Sequence, residues 1–239
     1  MTTVSDLKIG FLKPGAGRSH YDEFAAMVPA GVDLDMQDLG VMQSALTDFA
    51  ARADAIIERA VTLAGERAWQ GVIVPGAPVE VQNPGLRARL AEALDIPFST
   101  ALGAGELALQ AYGAQRILLM TPFDPYMNGL VVEHLVNAGF DVQLADLGFT
   151  SEQEAVDLDA QVVFDMARGA MNAASGAQAI YFQGAVLNPL PIIDDMESEF
   201  GLPVVSSNPA MLWAVASRLG GRFSIPDKGR LVREWPPLP

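Results

Sequence analysis

The sequence predicts an α/β fold of two pseudo-symmetric lobes, each a short parallel sheet flanked by helices, with a site in the cleft between them. Short apolar runs alternate with amphipathic stretches along the 239 residues, which is typical of parallel sheets with right-handed crossovers. The pattern occurs twice, because the runs 71–76 and 95–100 correspond to the runs 179–184 and 201–207. Two copies of one unit favour a pair of lobes over a solenoid.

Each predicted element follows from its hydrophobic pattern. Short, mostly apolar runs indicate strands that are covered on both faces of a sheet. The predicted strands span 8–12, 33–36, 71–74, 97–99, 116–120, 141–145, 179–182 and 203–206. Apolar residues at spacings of three and four indicate helices with one buried face. The predicted helices span 46–66, 85–94, 101–111, 128–137, 157–173, 191–199 and 209–219.

The predicted domain boundary lies near the turn that closes the first copy of the repeat. It assigns residues 1–113 to the first lobe and residues 114–220 to the second. Residues 221–239 are expected to form a C-terminal strap that can cross between the lobes. The proline density of this tail predicts irregular structure.

Composition excludes several classes of protein. There is no cysteine, which rules out disulfides, thiolate zinc sites and cysteine nucleophiles. Fifteen scattered basic residues face 29 acidic ones, a formal charge of −14, so neither nucleic acid nor an anionic membrane is an expected partner. Apolar runs are too short for a membrane span and the N-terminus lacks a leader pattern. We therefore expect a cytoplasmic monomer or homodimer.

No cofactor site is expected. The pairs Gly15 with Gly17 and Gly103 with Gly105 each lack the third glycine of a dinucleotide fingerprint, and there is no Walker motif. Two distant histidines and scattered carboxylates also lack the spacing of metal ligands. The sequence therefore predicts neither a nucleotide nor a metal.

The loops that follow the predicted strands nominate the site. Ligands of open parallel sheets lie beyond the carboxyl ends of strands, which selects the loops beginning at Pro14, Gly76, Pro122, Gly184 and Ser206. A single glycine can simply satisfy a positive φ angle. Two at equivalent points of the repeat favour a shared cleft.

These residues carry a family resemblance. The most specific stretch runs from Phe200 to Ala210 (FGLPVVSSNPA) and is followed by Trp213. Weaker support comes from 9–14, from 121–123 with Asn128, and from 147–150. The chain resembles the aspartate/glutamate racemase superfamily, in particular its arylmalonate decarboxylase and maleate isomerase branch. The resemblance runs in order along nearly the whole chain and implies two pseudo-symmetric α/β lobes around a cleft.

The chain departs from this family at the reacting positions. The resemblance implies a cysteine after the middle strand of each lobe in racemases and isomerases, and in the second lobe alone in the decarboxylase. Gly76 and Gly184 occupy these positions, so two-base cysteine racemisation is excluded. Two carboxylate-holding hydroxyl residues are replaced by Ala77 and Pro78, and a family tyrosine by Phe123.

The remaining groups predict an anion-holding cleft. Backbone amides at the two glycines and their successors, with hydroxyl and amide side chains, can stabilise a developing oxyanion. Apolar residues, among them Met42 and Leu187, are expected to line the same cleft. The predicted substrate-binding residues are Pro14, Gly76, Ala77, Phe123, Asn128, Gly184, Ala185, Val186, Ser206 and Ser207.

Proton transfer then requires a group other than cysteine. The candidates by position are His20, Tyr21, Glu80 and Tyr126. Each has an alternative interpretation. A histidine in a flexible polar loop is often merely solvated, Glu80 can cap the next helix, and Tyr126 can simply pack.

Two hypotheses about function follow. The first is a cofactor-independent lyase or isomerase that acts next to the carboxylate or carbonyl of a small acid through an enolate-like intermediate. The second is a non-catalytic protein that binds a small carboxylate and has kept the cleft without its thiols. Product formation separates the two hypotheses.

Overall fold

The computed structural model describes residues 6–15, 21–42 and 45–239 and confirms the predicted α/β fold class. It contains two four-stranded sheets with the orders β2-β1-β3-β4 and β6-β5-β7-β8, and all six strand pairings are parallel. The strands are β1 Leu7–Lys13, β2 Val32–Asp38, β3 Gly71–Val74, β4 Phe98–Thr100, β5 Arg116–Met120, β6 Asp141–Leu144, β7 Ala179–Phe182 and β8 Val204–Ser206.

Helices connect successive strands in both sheets, as parallel pairing requires. They are α1 Asp22–Ala26, α2 Ala53–Arg67, α3 Ala77–Val81, α4 Leu86–Ala93, α5 Ala101–Ala111, α6 Pro125–Asn137, α7 Ala160–Ala173, α8 Ile193–Phe200, α9 Ser207–Arg218 and α10 Arg230–Glu234. Two 3₁₀ helices, Leu46–Phe49 and Glu152–Ala155, lie in the loops that follow β2 and β6.

All eight predicted strands are present, but the helix predicted over 46–66 was wrong. It is a 3₁₀ helix, Leu46–Phe49, followed by α2, because Ala51 has a φ angle of 56° that interrupts helical geometry. Apolar spacing does not reveal such a break, since both pieces bury side chains.

The segment after Gly76, expected from the sequence to be a loop, forms the helix α3. Pro78 lies in its first turn, where a missing N–H costs nothing. A helix of five residues is too short to show an apolar period. This difference decides where the side chain of Glu80 points.

Two helices lie between the sheets and join them into one core. α9 follows β8 of the second sheet yet packs on β3 and β4 of the first, while α5 follows β4 and contacts β8. Ten of the twelve residues of α9 are buried, so the helix is covered on every side. A buried hydrogen bond of 3.0 Å from Ser99 Oγ to the carbonyl of Met211 fixes α9 against β4. The helices therefore hold the two sheets in a fixed relation.

The approach of α5 to the second sheet depends on one glycine. The hydroxyl of Tyr181 on β7 donates to the carbonyl of Ala101 at 3.2 Å, and its ring lies over Gly105. A Cβ atom at Gly105 would lie 2.1 Å from the tyrosine oxygen. Only a residue without a side chain fits there.

The C-terminal strap, residues 221–239, contacts β1 of the first sheet and the helices α8 and α9. Gly221 passes close to Leu7 of β1, while the amide of Arg230 donates to Glu197 Oε2 on α8 at 2.8 Å. Trp213 Nε1 donates to the carbonyl of Pro236 at 2.9 Å, which ties the strap to α9. Contrary to the expectation of irregular structure, the strap contains the short helix α10.

Within the described residues, no helix is both long enough and apolar enough to cross a bilayer.

Replacing Gly105 with alanine should destabilise the protein by about 1–3 kcal/mol, because the new methyl group overpacks against Tyr181. The matched control is Gly169→Ala in α7, where an added Cβ meets nothing within 4 Å. That variant should gain about 0.5–1 kcal/mol from helix propensity alone. Urea denaturation measures both, and equal effects of the two variants would contradict the close approach.

Candidate active site

A cavity of about 370 Å³ lies where the carboxyl ends of strands from both sheets meet. Loops following β1, β2 and β3 form one wall, and loops following β5, β6 and β7 form the other. This is the position that parallel sheets favour for ligands. We call this cavity the cleft. Its lining is mostly apolar and includes Met42, Leu46, Phe49, Phe123, Val156 and Val186.

Gly76 and Gly184 both line the cleft, one in each wall. Their φ angles are 96° and 114°, a region that residues with side chains rarely adopt. A Cβ atom at Gly184 would lie 2.6 Å from Cδ of Pro122. At Gly76 the nearest atom, Cγ2 of Val79, would be 3.3 Å away. The second wall therefore has less room for a side chain than the first.

Several residues predicted from the sequence line the cleft. They come from four different loops, which only the fold brings together. These residues are Pro14, Tyr21, Gly76, Phe123, Gly184, Ala185 and Val186. Met42 lies beside them, whereas Leu187 is packed in the outer core of the second lobe.

Three predicted binding residues are buried outside the cleft lining. Ala77 is fully covered in the first turn of α3. Ser206 and Ser207 are 7% and 4% exposed. They lie in the interior because α9 begins directly at the end of β8 and runs between the sheets. The sequence motif therefore marks a helix start and not a wall of the cleft.

Asn128 also lies away from the cleft. Its Nδ2 donates to the carbonyl of Phe123 at 2.8 Å, and its Oδ1 accepts from the hydroxyl of Thr121. Asp124 Oδ1 accepts from the amide of Met127 at 2.7 Å and caps α6. These bonds hold the loop that presents Phe123 to the cleft.

Two predicted proton-transfer residues are not brought to the cleft. Tyr126 is 64% exposed in the first turn of α6. Glu80 is turned inward on α3 and lines a separate groove. His20 lies outside the described residues, so its role stays a prediction. Tyr21 alone among the four candidates is described as lining the cleft.

Tyr21 is held in the first wall by aromatic packing. Its ring meets Phe11 of β1 edge to face, with centroids 4.9 Å apart. Burial raises the pKa of the Tyr21 hydroxyl well above its ordinary value. The phenol therefore keeps its proton at neutral pH and can act as a hydrogen-bond donor.

Lys13 was missed by the sequence analysis. It is the single basic side chain among the described residues that line the cleft. It ends β1, and its Nζ lies 3.2 Å from Oδ1 of Asp38 at the end of β2. A lysine at the carboxyl end of a predicted strand, where parallel sheets place their ligands, was the available signal. Glu152 and Gln153 were also missed, because they lie on a 3₁₀ helix that the sequence pattern does not reveal.

A group of charged side chains joins α3, α4, α5 and α6, and we call it the interlobe cluster. Arg87 is its centre, with Nε 2.8 Å from Glu80 Oε1 and a terminal nitrogen 2.8 Å from Glu106 Oε2. Glu106 Oε1 is also 2.7 Å from Nε2 of His134. Glu80 Oε2 accepts from the amide of Leu102 at 3.2 Å, at the start of α5. The cluster consists of Glu80, Arg87, Glu106 and His134.

The pKa values of the two carboxyl groups of the cluster are shifted in opposite directions. Burial raises the pKa of Glu80, and the charge of Arg87 offsets this only in part. Burial also acts on Glu106, but hydrogen bonds from His134 and Arg87 outweigh it and lower its pKa. Glu106 is therefore the carboxylate that the cluster stabilises in its ionised form.

Among the described residues, no group of three or more histidine, aspartate or glutamate side chains is arranged to hold a metal ion.

The model of the family described as arylmalonate decarboxylase matches residues 9–232. The chain belongs to this family. It is 31% identical over 195 residues to arylmalonate decarboxylase from Bordetella bronchiseptica, covering 76% of this chain and 80% of that one. It is 30% identical over 169 residues to maleate isomerase from Nocardia farcinica, covering 68% and 66%.

A crystal structure of arylmalonate decarboxylase superposes with a TM-score of 0.78 at 26% identity, covering 95% of this chain and 99% of that one. Family membership supports a cofactor-independent decarboxylase or isomerase. The family resemblance recognised from the sequence is thereby confirmed.

Placing a side chain at Gly184 should strain the second wall of the cleft. We expect Gly184→Ala to lose roughly 1–3 kcal/mol from its positive φ angle, with further loss from the contact with Pro122. Gly76→Ala, with the same type of φ angle but more room, should lose less. Urea denaturation measures both, and a larger loss at Gly76 would contradict this geometry.

Glu106→Gln should weaken the protein in a pH-dependent manner. The pKa of Glu106 is below its ordinary value of 4.5 in the folded state, so ionised Glu106 adds stability above that pH. This stability is lost as the pH falls through the folded-state pKa. We expect a loss of about 1.5–3 kcal/mol at pH 7 that shrinks below about pH 4.5.

A series of urea denaturations at different pH values checks this, with Glu58→Gln on the exposed side of α2 as the control. A difference between wild type and Glu106→Gln that stays constant down to pH 3 would show that the carboxylate charge is not responsible.

Proposed function

We propose that the protein is a cofactor-independent lyase or isomerase that acts next to the carboxylate or carbonyl of a small acid through an enolate-like intermediate. The observation that carries this proposal is the convergence of strand-end loops from both sheets on one cleft, with Gly76 and Gly184 in opposite walls. Family membership supports the reaction class. The names of the related enzymes, which refer to arylmalonates and maleate, support a small carboxylate as the substrate.

Thiol chemistry is not part of the proposed mechanism. The family resemblance implies cysteines at the positions of Gly76 and Gly184, and the chain has none. An enolate formed here must be protonated by an oxygen or nitrogen acid. At these two positions the departure from the family thus concerns the proton donor.

Backbone amides near the two glycines are the proposed holders of the developing negative charge. Positive φ angles turn the chain sharply at both points, where strands end at the cleft. The amide of Gly184 donates to Oε1 of its neighbour Gln183 at 3.2 Å. A substrate oxygen must share or replace that long hydrogen bond. Preorganised donors of this kind are each typically worth about 3–4 kcal/mol of barrier.

Lys13 is the proposed anchor for a substrate carboxylate. Ala77, Pro78 and Phe123 supply no side-chain hydrogen bond, so the cleft needs another source of attraction for an anion. The ammonium group at the end of β1 supplies it, and Asp38 orients that group from one side. The attraction between this ammonium group and a substrate carboxylate is stronger beside mostly apolar side chains than in bulk water.

Tyr21 is the proposed proton donor among the described residues. It lines the cleft, and burial raises the pKa of its hydroxyl, so the proton is present at neutral pH. A phenol that strongly retains its proton still protonates an enolate, which is a stronger base. The neighbouring His20 remains the alternative donor predicted from the sequence.

The second candidate function is binding of a small carboxylate without chemistry. It is favoured by glycine at both reacting positions and by the apolar side chains that replace the family's polar ones. In this case the cleft would recognise the same class of ligand, and thermal stabilisation would appear without a product.

The enzyme hypothesis predicts turnover in a panel of arylmalonates, maleate and small 2-substituted acids, measured by carbon dioxide release, isomer formation and deuterium incorporation from solvent. Tyr21→Phe should lower kcat by about 10²–10⁴-fold because the donor is lost. Lys13→Met should raise KM by tenfold or more because a charged hydrogen bond of about 1.5–3 kcal/mol is lost.

Matched controls exist for both changes. Lys8→Met alters the opposite end of the same strand β1, and Tyr112→Phe alters a half-buried tyrosine directly after α5. Neither should affect turnover. Stabilisation by a panel compound without any product would favour the binding hypothesis. Unchanged kinetics in both cleft variants would reject the assigned roles.

A further inference from the structure

The interlobe cluster joins helices that begin at the two walls of the cleft. Glu80 belongs to α3, which starts immediately after Gly76 in the first wall. His134 belongs to α6, which starts two residues after Phe123 in the second wall. The helices α3 and α6 also pack against each other. The cluster therefore lies on helices that lead directly to both walls.

The contacts of the cluster cross from one lobe to the other. Glu106 on α5 binds both Arg87 on α4 and His134 on α6, at 2.8 and 2.7 Å. A terminal nitrogen of Arg87 also lies 3.4 Å from the His134 ring. His134 is thus the member contributed by the second lobe. Without it, the three remaining residues tie together only helices of the first lobe.

The charge of the cluster depends on this histidine. Two carboxyl groups share one guanidinium, so the ionised cluster has an excess negative charge when the His134 ring is neutral. Protonation of the ring balances that charge and strengthens its bond to Glu106. Glu133, on the same helix, lines the same groove as His134. Tyr181 on β7 interacts with Glu80, Arg87 and Glu106 of the cluster, and burial raises the pKa of its hydroxyl, which therefore stays protonated.

Protons can reach the cluster from solvent. The His134 side chain is 22% exposed and borders a surface groove between α3, α4 and α6. Glu80 by contrast is almost completely covered and also holds the start of α5 through the amide of Leu102. Solvent therefore reaches the cluster at His134 and also at Arg87, whose side chain is 39% exposed.

We propose that the interlobe cluster positions the two walls of the cleft relative to each other and that protonation of His134 tightens this link. Glu80, expected from the sequence to act in proton transfer, is on this proposal a positioning residue. The importance of the interlobe cluster for a reaction rests on the proposed function, because the spacing of the walls then determines how a substrate is held. Its test does not require turnover.

The experiment is hydrogen exchange followed by mass spectrometry on the full-length protein without ligand, corrected for intrinsic exchange rates, from about pH 5.5 to 8, where histidine charge ordinarily changes. The segments compared are 77–81 and 123–130, with α7 as an internal reference. In wild type, protection of both wall segments should fall by about tenfold as the pH rises, since local opening reports local contacts.

His134→Gln should raise exchange in both wall segments and remove its dependence on pH, with α7 unchanged. Glu106→Gln should raise exchange in the same segments. The matched control is Glu199→Gln, which neutralises a carboxylate paired with Arg168 at 2.7 Å within the second lobe. It should leave the walls unchanged.

Three results would overturn the proposal. The first is that both wall segments of His134→Gln exchange at wild-type rates. The second is that exchange in α7 of this variant increases as much as in the walls, which marks global destabilisation. The third is that exchange in the walls of His134→Gln still depends on pH. If the walls respond as expected while no acid is turned over, only the proposed function fails.

Discussion

Burial of α9 between the two sheets is the constraint on which the remaining structure depends. The helix leaves the second sheet at β8 and covers β3 and β4 of the first, so neither sheet can bury that face alone. Small residues permit the approach, with Gly71 under Val215 and Gly105 under Tyr181. Because close-packed interiors deform little, the relation between the sheets is set by this contact.

The cleft is a consequence of that arrangement. Parallel strands in each sheet end on the same side, and the central helices bring those two edges together. Gly76 and Gly184 then lie in opposite walls, although 107 residues separate them in the chain. The interlobe cluster adds charged contacts between helices of the two lobes. Apolar packing therefore holds the two sheets together, and the charged contacts add a second link between the lobes.

The chemistry of the cleft differs from the family pattern in the source of its polar groups. The thiols and hydroxyls that the family resemblance implies at Gly76, Gly184, Ala77, Pro78 and Phe123 are absent from the sequence, and the polar side chains that line the cleft come from other positions. Lys13 ends β1 and Tyr21 follows it in the first wall, and Glu152 and Gln153 follow β6 in the second. On the proposed function, these groups take over the roles of substrate anchor and proton donor in a cleft that the fold still forms.

The sequence by itself determined the alternation of strands and helices, the twofold repeat and the loops that contain the two glycines. These features follow from local patterns of apolar residues and from backbone conformations that only glycine adopts readily. Tertiary structure alone decided which side chains enter the cleft. Glu80 turns inward because α3 forms, Ser207 is buried because α9 runs between the sheets, and Lys13 reaches the cleft because β1 ends there. Each outcome depends on contacts between segments distant in the chain, which no local pattern encodes.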